Sequence, residues 1–141
     1  MQEGGKVMKE NKRNLVLKDL CGRLPDGVKC ENHNHVYGKN IFKVTDIRTN
    51  GYICGEINNQ HGFAVFDPLE LKPYLFPLSN MSEEQMYKVK GMLNDIVLNK
   101  GNISKAFADL IQFFDTEMLD YRGLLDDGLA CDATGLGVYE K

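Results

Sequence analysis

Long uninterrupted runs of any one character are missing from this chain. No apolar stretch approaches the roughly 18 residues needed to cross a bilayer, so a membrane-spanning helix is excluded. The first thirteen residues are mostly Gly, Lys, Glu and Asn, and lack the apolar centre of a secretory signal. They are expected to be a flexible lead (1–14) on a cytoplasmic protein. Neither GxxxxGK[ST] nor GxGxxG occurs, which removes the common phosphate cradles. Cationic density is also low. Residues 1–81 hold eleven Lys/Arg against nine Asp/Glu, a net of +2, and residues 82–141 hold six against eleven, a net of −5. Neither half has the basic stripe of a nucleic-acid binder, and the acidic half would repel a phosphate backbone. There are no repeats, low-complexity blocks or sustained heptads. The four cysteines, Cys21, Cys30, Cys54 and Cys131, are expected to be reduced thiols.

What is present suits one domain of 141 residues, spanning 15–141 behind the lead. At 43% hydrophobic, the chain has enough apolar material for a core. Leu15, Leu17, Leu20 and Leu24 predict a short helix over 17–24, with Gly22 as its weak point and Pro25-Asp26-Gly27 as its stop. Residues 28–31, 41–48, 52–57 and 63–66 are rich in strand formers. Asn50-Gly51 between the second and third is a strong hairpin signal. Asp67-Pro68 ends the meander, and 69–71 suits one helical turn. Residues 72–78 contain Pro73 and Pro77, and so predict an edge strand or an extended connector.

Short strands of this kind need a cover, and the residues from 81 onward are the expected source. Ser82-Glu83-Glu84-Gln85 is a capping box, with Met81 and Met86 placed as a hydrophobic staple. The helix it opens carries Met86, Val89, Leu93, Ile96 and Val97 and should stop near Gly101. A second helix carries Ile103, Phe107, Leu110, Ile111, Phe114, Met118 and Tyr121 in one stripe, broken at Gly123. So short a link makes the two a helical hairpin. Leu129-Ala130-Cys131 is expected to run back along the sheet, and 131–141 to be a loose tail. The fold class is therefore α+β: a small twisted antiparallel sheet or open barrel (15–80) packed against a C-terminal helical hairpin with a closing turn (81–130).

The closing segment DYRGLLDDGLA (120–130), the segment KPYLFPLSNMSEE (72–84) and the opening LKDLCGRLPDGVKC (17–30) together touch most of the chain. They resemble segments of small phage and prophage proteins of gut anaerobes, in which a KPYLRPMSSMTEEE-like segment precedes a helix and FDYRGLIEKGLALEAP ends the chain. This sequence departs from them at Phe76, where the relatives often carry a basic residue, and at Asp126-Asp127, where they often carry an acid–base pair. The resemblance implies a genomic setting and a layout, and no activity.

Each candidate site has an ordinary structural reading beside it. Cys30, His33 and His35, with His61 and Cys54 as conceivable additions, form the nearest approach to a zinc cluster. The second close ligand pair is missing, and the histidines sit among asparagines, so no metal and no cofactor is expected. Cys54 and His61 flank a turn and are the only thiol–imidazole pair suggestive of a nucleophilic site, although cysteine in a strand is commonly a small buried hydrophobe. Asp126-Asp127, near Asp120, read as a solvated turn rather than an acid/base pair. Tyr121 and Arg122 are candidate partner-binding residues. The alternative is that Arg122 pins the tail internally, to Asp120 or Asp126. Tyr52 and Tyr74, with Tyr37, Phe42 and Phe63, are the aromatics of a possible groove on the sheet.

These readings favour a non-enzymatic protein-binding or adaptor module of phage/prophage type. Its partner would be another protein, host or phage, or a second copy. One alternative is a single-stranded nucleic-acid binder using the sheet aromatics with Lys39, Lys43, Arg48 and Lys72. Another is a small hydrolase or metalloprotein around Cys54, His61, Cys30 and His33.

Overall fold

The computed structural model describes residues 2–32, 41–57, 63–98 and 102–139, and the side chains from Met8 onward. The chain opens with α1 (Gln2–Arg23). Strands β1 (Lys29–Asn32), β2 (Ile41–Ile47), β3 (Ile53–Ile57), β4 (Phe63–Phe66) and β5 (Leu71–Leu75) follow. Helices α2 (Glu83–Val97) and α3 (Ile103–Thr116) come next, and a two-residue strand β6 (Cys131–Asp132) lies near the end.

The six strands form one open sheet in the order β4-β3-β2-β1-β5-β6. All pairings are antiparallel except that of β5 with β6. This is the α+β class expected, with the sheet open rather than closed and a C-terminal helix pair. Alternation along β2 and β4 turns Phe42, Val44, Ala64 and Phe66 inward. Phe42 and Phe66 meet edge to face at 5.1 Å. Phe42 lies so close to β3 that a Cβ on Gly55 would stand 2.6 Å from its ring and 2.1 Å from the Lys43 carbonyl. Gly55 is therefore the one residue that lets the aromatic pair seat against the sheet. The Asn50-Gly51 turn forms as the pair predicts, with Gly51 at φ +86° and its amide bonded to the Arg48 carbonyl.

Four elements differ from expectation, the last of them the end of α3. The helix predicted over 17–24 is the last third of α1, which is helical from Gln2 onward, through the residues taken as a lead. Its Val16 and Leu20 are wholly buried in the strand core, so α1 is the principal cover of the sheet. Arg13 ties it to the 3-10 turn Pro68–Glu70 by a 2.8 Å bond to the capping residue Asp67. Second, β5 is an interior strand. Pro73 lacks a donor, and β6 avoids the conflict by pairing with Tyr74 and Leu75, beyond the proline. Third, the last residues are not loose up to Tyr139. The Tyr139 hydroxyl lies 3.0 Å from the Lys29 amide and donates to the Tyr74 carbonyl at 2.8 Å, and Lys29 Nζ donates to the Val138 carbonyl.

The Ser82–Gln85 capping box forms with both reciprocal bonds, at 3.1 and 2.9 Å. Helix α3 ends at Thr116, well before Gly123. Met118 takes the left-handed conformation (φ 55°) in which glycine is usual, and the Leu119 amide returns to the Phe114 carbonyl. The Met118 side chain is buried in the strand core, which offsets the backbone cost. The DYRGLL segment therefore lies beyond the helix, and Phe76 pairs with Leu119 alongside it. No helix among the described residues is long and apolar enough to cross a membrane.

Candidate functional site

Two places stand out: a buried charge cluster where α1, α3 and the DYRGLL turn meet, and an open apolar face on the hairpin.

The cluster is built on Arg23, which is 0% exposed. Its Nε donates to both carboxylate oxygens of Asp19, one helical turn earlier, at 3.0 Å. Its two terminal nitrogens donate to the carbonyls of Phe114 (3.1 Å) and Leu119 (2.6 Å). The Phe114 carbonyl belongs to the last turn of α3 and the Leu119 carbonyl to the segment just beyond it, so the last turn of α1 sets a cation at the C-terminal end of a different helix. Arg122 donates to the same Asp19 carboxylate at 2.8 Å and stacks over the Tyr121 ring at 4.4 Å. Tyr121 in turn stacks on Phe114 and donates its hydroxyl to Asp115 at 3.1 Å. Asp115 reaches α1 across Gly22, where a Cβ would stand 3.0 Å from its Oδ2. The glycine that weakens α1 in isolation thus leaves room for the Asp115 carboxylate and the Arg122 guanidinium. Burial pushes the Asp19 carboxyl above its ordinary value, against the pull of Arg23 and then Arg122. Burial also pushes the Tyr121 phenol up to about 12.

Tyr121 and Arg122 are therefore engaged within the fold. Arg122 pins the tail as the structural alternative had it, but to Asp19 rather than to Asp120 or Asp126. Asp120 instead accepts from the amides of Leu124 and Leu125 at 2.9 Å and closes the turn. Asp126 and Asp127 are solvated, as expected. Asp19, Arg23 and Asp115 are not singled out by the sequence reading. The available signal was an acid and a base four residues apart beside Leu20, on the face of α1 that also carries Val16.

The remaining candidates are dispersed. Cys30 is fully buried on β1, and burial holds its thiol well above the ordinary range, the wrong direction for a thiolate ligand or nucleophile. Cys54 is buried on β3. His33, His35, His61, Tyr37 and Lys39 lie outside the described residues. Among the described residues no three His, Cys, Asp or Glu side chains are grouped to hold a metal. All four cysteines are free thiols, and Cys131 donates to Glu31 at 2.8 Å. Tyr52 is exposed, whereas Tyr74 is half-buried with its carbonyl taken by Tyr139. Phe63 is 73% exposed on the outer face of the sheet. The register sets Glu56 between Phe63 and Lys43, an acid where a strand's phosphates would run. A cleft of about 540 Å³ opens at the hairpin's base between Asp26, Phe76, Gln85, Thr116, Glu117 and Tyr139. Ser82 also lines it, but its hydroxyl is occupied by the helix cap.

The hairpin face is the larger feature. Val89 is the buried residue of α2, and Leu110 is the buried apolar residue of α3, beside Asp115 of the charge cluster. On one side of the pair, Asp95, Lys105 and Asp109 line a polar crevice. At about 100° per residue, Met86, Leu93 and Val97 fall within one arc of α2, and Ile103, Phe107 and Ile111 within one arc of α3, both on the opposite side. All six are exposed, Val97 at 78% and Phe107 at 50%. The half of the α3 stripe that was expected to meet other elements is open to solvent. The chain has no significant match among family models, curated proteins or solved structures.

Proposed function

We propose that this chain is a non-enzymatic protein-binding module, an accessory protein of the phage/prophage type that its motifs resemble, and that it binds through the open face of the α2–α3 hairpin. The observation that carries this reading is the continuous apolar surface formed by Met86, Leu93, Val97, Ile103, Phe107 and Ile111. Single exposed apolar residues are ordinary, but a contiguous patch shared by two helices marks a contact surface. Its placement supports the same conclusion. The sheet core is closed by α1 and the tail, so the hairpin face is not needed to complete the monomer.

The test is a photoreactive residue at Val97, irradiated in cells that produce the chain, with the same residue at Asp109 as the control on the polar side. A covalent protein adduct of defined mass from position 97, lost when Phe107→Glu is added, is the expected outcome. No protein adduct from position 97, or equal adducts from both positions, would overturn the reading.

A further inference from the structure

We infer that the occupant of the hairpin face is a second copy of this chain, the two hairpins closing into an antiparallel four-helix bundle; this rests on the protein-binding reading of the same face.

The width of the stripes is the first argument. Two helices packed only on each other need a narrow seam of about two positions in seven, whereas a helix inside a bundle shows about three. Val89 of α2 and Leu110 of α3 supply such a seam. Met86, Leu93 and Val97 on one helix, with Ile103, Phe107 and Ile111 on the other, are additional positions turned to one side. They form the second contact that a bundle helix requires.

Self-complementarity is the second. A groove of about 440 Å³ flanks α3, lined by Phe107, Ala108 and Ile111 on one wall and Gly22, Pro25 and Asp26 on the other. On α2 the same face carries a ridge, Met86-Leu93-Val97. A two-fold axis parallel to the helices lays α2 of each copy antiparallel on α3 of the other, so each ridge enters a groove twice over. Under that axis, residues level within one copy stay level across the pair. Leu93 then meets Phe107 of the second copy. The six side chains that define the contact are all apolar, as the core of a specific interface is.

Area is the third. Six side chains of roughly 200 Å² each, about half exposed, leave on the order of 500 Å² open per copy, and pairing would bury about twice that plus a rim. This reaches the roughly 1,000 Å² threshold of a specific interface and points to association in the micromolar range.

Sedimentation velocity on the full chain, from about 1 to about 200 µM, reads the result directly. A monomer–dimer transition in that window is expected. Phe107→Glu and, separately, Val97→Lys should each move its midpoint at least tenfold upward with helicity unchanged by circular dichroism, and Asp109→Lys should leave it in place. A monomer at every concentration, or a dimer indifferent to both face variants, overturns the inference. If the chain is monomeric while position 97 still crosslinks in cells to a protein of another mass, the self-association fails and the binding reading stands.

Discussion

The guanidinium of Arg23 donates at 2.6 Å to the carbonyl of Leu119, a residue 96 positions later in the chain. Through that contact the last turn of α1 is tied to the segment that follows α3, and the Asp19 carboxylate beneath it is shared with Arg122. The cluster joins three chain segments that no sheet hydrogen bond connects.

Removing the cation should be costly. Arg23→Met leaves the buried Asp19 carboxylate with only Arg122 and removes the guanidinium bonds to the Phe114 and Leu119 carbonyls. A loss of about 3–5 kcal/mol is expected, the usual penalty for breaking a buried pair. Urea denaturation should show the midpoint falling with the slope retained. A loss below about 1 kcal/mol would mean that the cluster is not part of the cooperative unit.

Tyr121 gives the cluster an alkaline limit. Its phenol is raised from 10.0 to about 12, chiefly by burial, and it must stay protonated to donate to Asp115. A raised folded-state value means that the stabilisation is complete below pH 10 and is lost as pH climbs through about 12. Tyr139 is raised as well and acts in the same direction. Tyr121→Phe should flatten, without abolishing, the fall in stability over that interval, and should remove one late component from the phenolate absorbance titration.

Much of the scaffold is legible locally. Asn50-Gly51 and the Ser82–Gln85 box are short-range signals satisfied by neighbours within a few residues, and the 63–66 strand pairs with the strand just before it. The pairing of Asp19 with Arg23 is also local, but at i and i+4 it reads as a solvated surface pair, because what buries it lies about a hundred residues away. The length of α1 is obscured by its polar N-terminal half, which carries no stripe to betray a helix. The hairpin stripe is plain in the sequence. Which part of it stays open is not, since that depends on where α1 lies, and α1 leaves the sheet no need of the hairpin as its roof. Pro73 argues for an edge strand by a sound rule, and β6 satisfies the rule by starting its pairing at Tyr74.

Gly55 tests the packing of the aromatic pair. With 2.1 Å to the Lys43 carbonyl and 2.6 Å to Phe42, a methyl group has no space. Gly55→Ala should cost about 3 kcal/mol or more, since both the strand and the ring must shift. Pairing it with Phe42→Leu should recover part of the loss, measured by thermal unfolding of both variants.

Gly91 tests the opposite case. It sits in the middle of α2, exposed, with nothing within 4 Å of the position a Cβ would take. Gly91→Ala should raise stability by about 0.5–1 kcal/mol through helix propensity alone. A decrease would show that α2 has a partner on that side which the monomer does not reveal.

The bonds from Arg23 to Leu119, from Asp19 to Arg122 and from Lys29 to Tyr139 make the first quarter of the chain wait for the last. During synthesis the ribosome delivers α1 long before the turn that caps and neutralises its final residues. A nascent chain therefore carries an unfinished sheet and an ion pair with nothing to bury it until its C-terminal residues emerge. Products cut short anywhere before the DYRGLL turn should never reach the folded state, and proteases would clear them rather than leave a partly working fragment.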